Sequence, residues 1–313
     1  MERILVAGSD SVAGGNFAAA WSSGATVSGV AWSRPVNIAD VHSLGLAPTT
    51  AAAVEQLVRE QSPNRVVCCG PVSDSCWNTA ETRLASPERY AVWAGVAHKL
   101  GLPFTYLSSD AVFTGPWLFH REQGSCYCNS HGARLLRTAE SLVAEACPKA
   151  LIVRSHVFGW SPLGPQGDAL EAMLESLRAG ESVSRDYFRH ATPILATDLA
   201  NLLPACWTAK LDGLFHIAGA ERVNPFRFAC LVADEFRMAM SCVEPLEVSL
   251  DSRKAFGGGE TSLQTRKVRK LVDLSVPLLR EGLVRLREQM ESGYRDRFQV
   301  TDVSAERVLE RAA

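Results

Sequence analysis

The order of apolar runs along the first half of the chain constrains its fold more than any other feature. Short apolar segments over 3–8 (RILVAG), 26–32 (TVSGVAW), 65–69 (RVVCC), 104–108 (FTYLS) and 150–153 (ALIV) alternate with helical patterns over 16–21, 51–61, 87–100 and 134–146. Strand-length runs with no polar face are buried on both sides, and strands separated by helices pair in parallel. This predicts an α/β chain with a doubly wound parallel sheet. Past residue 160 the alternation loosens into helices over 168–179, 198–210, 225–237, 265–271 and 277–290, with one strand over 213–217. That change predicts a smaller C-terminal lobe. Residues 292–313 are polar and charged and read as a tail, either an extra helix or a frayed end.

Charge and cysteine usage narrow the function classes. Lys+Arg 32 against Asp+Glu 34 leaves a formal net charge of -2, which argues against a dedicated nucleic-acid binder. No apolar run reaches the ~18–20 residues of a membrane span, and the N-terminus has no signal-peptide pattern. A cytoplasmic protein is therefore expected. The 9 cysteines are an odd number without regular spacing, so free thiols are expected rather than a disulfide framework. Cys126 and Cys128, near His120 and His131, lack the second half of a zinc site, and no metal is expected.

Between the first strand and the first helix runs Gly8-Ser-Asp-Ser11-Val12-Ala-Gly14-Gly15. Small residues there let backbone approach a pyrophosphate at the helix N-terminus, as a Rossmann-type dinucleotide fold requires. Gly8 suits the tight turn and Gly14 the helix–sheet packing. Ser11 stands where the middle glycine is usual and crowds the phosphate approach. The second strand ends in Ser33-Arg34. An acid at this point suits a ribose 2′-hydroxyl and a base suits a 2′-phosphate, so Arg34 favours NADP(H).

The segment Leu107-Ser108-Ser109-Asp110-Ala111-Val112-Phe113-Thr114-Gly115 follows a strand, where α/β sheets carry functional residues. It resembles the STDYVFDG segment of the dTDP-4-dehydrorhamnose reductases, within the extended short-chain dehydrogenase/reductase superfamily. Further segments agree in order: Val153-Arg154-Ser155-His156-Val157-Phe158-Gly159, Ala191-Thr192-Pro193 through Asp198-Leu199-Ala200, Leu214-Phe215-His216-Ile217-Ala218-Gly219 and Asn224-Pro225-Phe226. The resemblance spans roughly residues 1–290. It implies an NADP(H)-binding domain over 1–160, joined by 192–219. It also implies a substrate-binding lobe over 161–191 and 220–290, and a polar tail over 291–313. The implied chemistry is hydride transfer to a keto group on a nucleotide-linked sugar. A Ser/Thr and a Tyr polarise the substrate oxygen, and a Lys four residues on lowers the Tyr pKa.

Carried over, the Ser/Thr role falls on Ser109. The Y-G-x-x-K-x-x-x-E pattern, anchored on Glu140, puts Gly132 at the Tyr position and Leu136 at the Lys position. Shifting by one puts His131 and Leu135 there. Neither register supplies the Lys, although His131 can serve as a proton donor near neutral pH. Arg134 and Arg137 are off register, Tyr127 lies outside useful spacing, and Ala111 replaces a usual aromatic residue.

The leading reading is therefore an NADP(H)-type, reductase-like protein that binds a nucleotide sugar without the ordinary catalytic pair, as a binder or regulator. It carries NADP(H) or no cofactor at all. The β subunit of methionine adenosyltransferase resembles this family and is a regulator. The alternative is an active NADPH-dependent 4-keto-sugar reductase using Ser109 and a replacement acid such as His131. A third reading is an interaction subunit, as a homodimer or with a protein partner. The expected cofactor contacts are Gly8, Ser11, Val12, Gly14, Arg34, Cys69 and Gly70, with Ser73 beside them. The expected substrate contacts are Asp110, Val112, Phe113, His156 and Arg189, with Arg185 as a second diphosphate partner. The aromatic run Pro116-Trp117-Leu118-Phe119-His120 either stacks on a ligand or packs its loop, and His216 is expected to be structural.

Overall fold

A computed structural model describes residues 1–70, 77, 86–165, 169–247 and 255–300. Ser73, Cys76, Asp168 and the tail beyond residue 300 lie outside the described residues. Strands β1 (Arg3–Ala7), β2 (Thr26–Ala31) and β4 (His42–Leu46) alternate with α1 (Val12–Trp21) and the short β3 (Val36–Ile38). Next come α2 (Ala51–Gln61), β5 (Arg65–Cys69), α3 (Pro87–Lys99), β6 (Phe104–Ser109), α4 (His131–Ala146), β7 (Leu151–Ser155) and β8 (Val157–Phe158). The remainder holds α5 (Ala169–Arg178), β9 (Val183–Asp186), β10 (Ile194–Leu195), α6 (Ala196–Thr208), β11 (Gly213–His216) and α7 (Pro225–Glu235). It ends with β12 (Val243–Leu246), α8 (Arg266–Leu271), α9 (Leu279–Glu291) and β13 (Phe298–Val300).

The main sheet has seven parallel strands in the order β11-β7-β6-β5-β1-β2-β4. The order reverses between β1 and β5, and ligands of doubly wound sheets bind at that switch, beyond the carboxyl ends of the strands. Alternate residues of the strands feed two cores. Val6, Val67, Leu107 and Val153 meet Phe17 of α1 and Leu199 and Leu203 of α6. Leu5, Val66, Tyr106 and Ile152 meet Val54 of α2, Trp93 of α3 and Val143 of α4. The first core continues without a break into Leu170, Met173, Val183 and Phe228, so α5, β9 and α7 share it with the sheet.

Most predicted elements form within a few residues of their expected bounds. The helix expected from residue 16 begins at Val12, because Ser11 caps it by accepting from the Gly14 N–H at 3.0 Å. The helix expected from residue 134 begins at His131, with the Ser130 hydroxyl accepting from the Ala133 N–H at 3.2 Å. Strand β4 was not expected. It is a largely solvated edge whose residues show neither alternation nor a continuous apolar run. The start of the polar C-terminal stretch is ordered: β13 pairs antiparallel with β3, Phe298 opposite Ile38 and Val300 opposite Val36. Arg297 ties it down through the Ala19 and Ala39 carbonyls, at 2.9 Å each.

Candidate functional site

The β1–α1–β2 edge is built almost wholly from backbone. Gly8 adopts φ +96°, and a side chain there would collide with the Cys69 carbonyl oxygen and the Trp32 indole nitrogen. A Cβ on Gly14 would strike the Gly8 carbonyl, so both glycines are needed for close packing of strand, turn and helix. Ser11 does not project outward. Its hydroxyl donates to the Gly8 carbonyl at 2.7 Å while it caps α1, so the loop keeps its approach to the helix N-terminus. Val12 is buried in the first turn of α1. Cys69 and Gly70 are buried at the end of β5, and the Cys69 carbonyl accepts from the Trp32 indole. These parts fit a dinucleotide. The Arg34 side chain is exposed, but its backbone N–H faces inward, 3.2 Å from the Asp10 carboxylate. Sequence reasoning missed Asp10, whose role depends on a fold-back across 22 residues.

On the neighbouring strands a buried polar cluster forms around Asp110. Ser109 ends β6, and Asp110 begins the 3-10 turn after it, fully buried. The Asp110 carboxylate pairs with His156 Nδ1 at 2.9 Å and accepts from the Thr261 hydroxyl at 2.5 Å. The Ser109 hydroxyl lies 3.3 Å from the other carboxylate oxygen. Burying an acid requires such partners. Behind it, Glu140 of α4 grips Arg154 of β7 at 2.8 and 2.5 Å and accepts from Ser108 at 2.6 Å. Burial opposes the Arg154 charge, and the Glu140 carboxylate more than offsets it, so the guanidinium pKa lies above its usual value.

His156 faces a cavity of about 310 Å³, a size typical of small-molecule sites. Trp77, Phe158, Met173 and Phe228 give it apolar walls, and Arg185, Asp186 and Arg189 its polar end. Arg189 donates to Asp186 at 2.7 Å. Burial and the adjacent Arg189 push the Arg185 pKa down, with Asp186 opposing the shift. Arg185 donates instead to the Ser184 carbonyl at 3.0 Å, so two arginines and one carboxylate leave an excess positive charge at the cavity, suited to an oxyanion.

Other expected contacts fall elsewhere. Val112 and Phe113 do not line this cavity. They are fully buried with Ala111, Leu136, Ala218 and Leu263, because the turn after β6 directs them inward. Asp110 stands behind His156 rather than on the cavity wall. Gly132 is buried, and Leu136 belongs to that same apolar cluster. His131 is exposed at the first position of α4. Trp117 and Leu118 are exposed at a loop tip away from the cavity lining, whereas His120 is buried and stacked on Phe113 at 4.4 Å. His216 is buried in the core, its Nδ1 3.1 Å from the His120 carbonyl. Among the described residues, eight cysteines are free, no metal-ligand cluster occurs, and no helix is long and apolar enough to cross a membrane. Thr261, Trp77 and Phe228 carried no sequence signal as site residues.

The seven-stranded parallel sheet with its glycine turn defines a Rossmann-type α/β fold. The chain belongs to the RmlD substrate binding domain family, whose profile matches residues 2–292. It is similar to methionine adenosyltransferase 2 subunit beta of Danio rerio, with 23% identity over 202 residues. That match covers 62% of this chain and 62% of the relative's length. A dTDP-4-dehydrorhamnose reductase from Bacillus anthracis, solved with NADP, superposes with TM-score 0.73 and 18% identity, covering 92% of this chain and 99% of that one. The Bordetella bronchiseptica enzyme WbmH, solved with NAD+, gives TM-score 0.70 and 15% identity, with 93% and 99% covered.

Proposed function

We propose that this protein binds a nicotinamide dinucleotide over the β1–α1–β2 edge and a nucleotide-linked sugar in the cavity beside His156. In this reading it lacks the Tyr and Lys chemistry of the reductases it resembles. Residues 1–160 and 192–219 form the dinucleotide part, and 161–191 with 220–290 the sugar-binding lobe. The observation that carries the reading is the burial of Gly132 and Leu136, the latter against Ala111, Val112, Phe113 and Leu263. Neither can donate a proton or hold a nicotinamide ribose, and a general acid or base contributes about 10²–10⁴-fold. The likeness to a protein named as a subunit of another enzyme supports a binding or regulatory role. The free thiols among the described cysteines suit a cytoplasmic protein.

When bound, the dinucleotide would supply hydride chemistry. The chain's own contribution is positioning. The Gly8 turn and the capped α1 hold the pyrophosphate end, and Arg185 and Arg189 hold an oxyanion of the sugar nucleotide. The test is calorimetry with NADH, NADPH and dTDP, followed by reduced-nicotinamide oxidation with dTDP-4-keto-6-deoxyglucose. Binding without turnover is expected. Turnover that Ser109→Ala abolishes would overturn it.

One observation favours a second reading, an active 4-keto-sugar reductase. Asp110 orients His156 at the cavity wall through one carboxylate oxygen and meets the Ser109 hydroxyl through the other, an arrangement able to move a proton. The replacement acid is then His156 rather than the exposed His131. Under this reading His156→Gln abolishes turnover and His131→Gln leaves it intact. A homodimer or a stable complex with a partner protein, formed without small-molecule binding, would instead favour the interaction-subunit reading.

A further inference from the structure

The backbone beyond β2 makes an anion nest, and the chain fills it itself. The N–H groups of Trp32, Ser33 and Arg34 converge on the Asp10 carboxylate at 2.7, 2.8 and 3.2 Å. The Ser33 hydroxyl adds a fourth bond at 2.8 Å. Consecutive amides aimed at one point are a typical oxyanion seat. At the end of the second strand of a dinucleotide fold, that seat reads the ribose 2′ position. The Gly8–Ser9 turn carries Asp10 there, since the Gly8 and Ser9 N–H groups both donate to the Val30 carbonyl, at 2.8 and 3.0 Å. Asp10 is buried, so solvent screens its charge poorly.

We infer that Asp10 sets dinucleotide specificity, accepting a ribose 2′-hydroxyl and rejecting a 2′-phosphate. This inference rests on the dinucleotide reading above and reverses the NADP(H) preference expected from Arg34. Asp10 Oδ2 accepts three hydrogen bonds and Oδ1 one, from the Trp32 N–H, among the described residues. A carboxylate oxygen with one bond retains a lone pair for a hydroxyl donor. A phosphate has no proton to offer at that point and needs the same amides that Asp10 holds. It meets a like charge at hydrogen-bond range. The Arg34 guanidinium is exposed, and water and salt weaken its pull relative to a buried carboxylate.

The experiment is calorimetric titration of the wild-type chain and Asp10→Ser with NADH and NADPH. Thermal melts of both proteins show that the variant is folded. Wild type is expected to bind NADH at least about tenfold more tightly than NADPH, a difference of about 1.4 kcal/mol. Asp10→Ser frees the three amides and should gain NADPH affinity by a similar factor, and adding Arg34→Ala should then remove that gain. Wild-type affinity for NADPH equal to or above that for NADH overturns the inference and leaves the dinucleotide reading standing. Because the wild-type comparison needs no variant, it holds even if Asp10→Ser fails to fold. Binding of neither dinucleotide to wild type or variant overturns both.

Discussion

The β1–α1–β2 edge and the region around Ser109 lie on neighbouring strands, yet they are built differently. At the first, backbone amides, glycine turns and a helix cap make the site, and side chains such as Ser11 and Asp10 turn inward to complete it. At the second, buried side chains make the site: Asp110 with His156 and Thr261, and Glu140 with Arg154. A backbone-built site follows from the fold and tolerates sequence change. A side-chain-built site changes its chemistry with one or two residues.

That contrast is most exposed to Leu136→Lys. A lysine in this apolar cluster would be forced toward its neutral form, and a downward shift of about 3–5 pKa units costs roughly 4–5 kcal/mol of stability at pH 7, since only the span from pH 7 up to the free lysine pKa of about 10.4 counts. Denaturant unfolding measures it, and a variant as stable as wild type would show that the site accepts the family's lysine. Arg154→Ala should cost about 3–5 kcal/mol, because it leaves Glu140 buried and unpaired. A change within 1 kcal/mol of wild type, about a fivefold shift in the folding equilibrium, would deny that a buried ion pair organises this half.

Acid should loosen the same half. Burial lowers the pKa of His216 well below its usual value, with the nearby Arg154 charge adding to the effect. Burial also lowers His120, less strongly and against the Glu260 carbonyl. A histidine kept neutral when folded takes up its proton on unfolding. Stability is therefore full above about pH 6.5 and falls as pH drops toward the folded-state pKa. The His216 contribution lost by pH 5 is up to roughly 2 kcal/mol. Melts of wild type and His216→Gln between pH 7 and 5 test this, and equal slopes would sink it. The smallest effect belongs to the β1–α1–β2 edge. Ser11→Ala should cost about 1 kcal/mol through the lost cap, and Ser11→Gly only a few tenths. A cost above 3 kcal/mol would mean that this loop, too, depends on side chains.

Local regularities were legible in the residues. Helix α2 and strand β5 form at their predicted bounds, because helical periodicity and an unbroken apolar run act over a few residues. The α1 start was misjudged because Val12-Ala13-Gly14-Gly15 looks like a turn until Ser11 is seen to cap it. Strands β8, β9, β10 and β12 have only two to four residues each, too short to show a period. Of the expected substrate contacts, His156 and Arg189 line the cavity, whereas Val112 and Phe113 are buried in an apolar cluster.

By itself, then, the sequence determined the parallel α/β sheet, the glycine turn and its family, since these follow from strand and helix periods and from backbone sterics at single positions. Only the tertiary structure decided that Asp10 fills the nest beyond β2, that Asp110 meets His156 and Thr261, and that β13 closes on β3. These partners lie from 22 to more than 250 residues apart. No local propensity encodes such a meeting; it exists only once the sheet has brought the carboxyl ends of its strands to one edge.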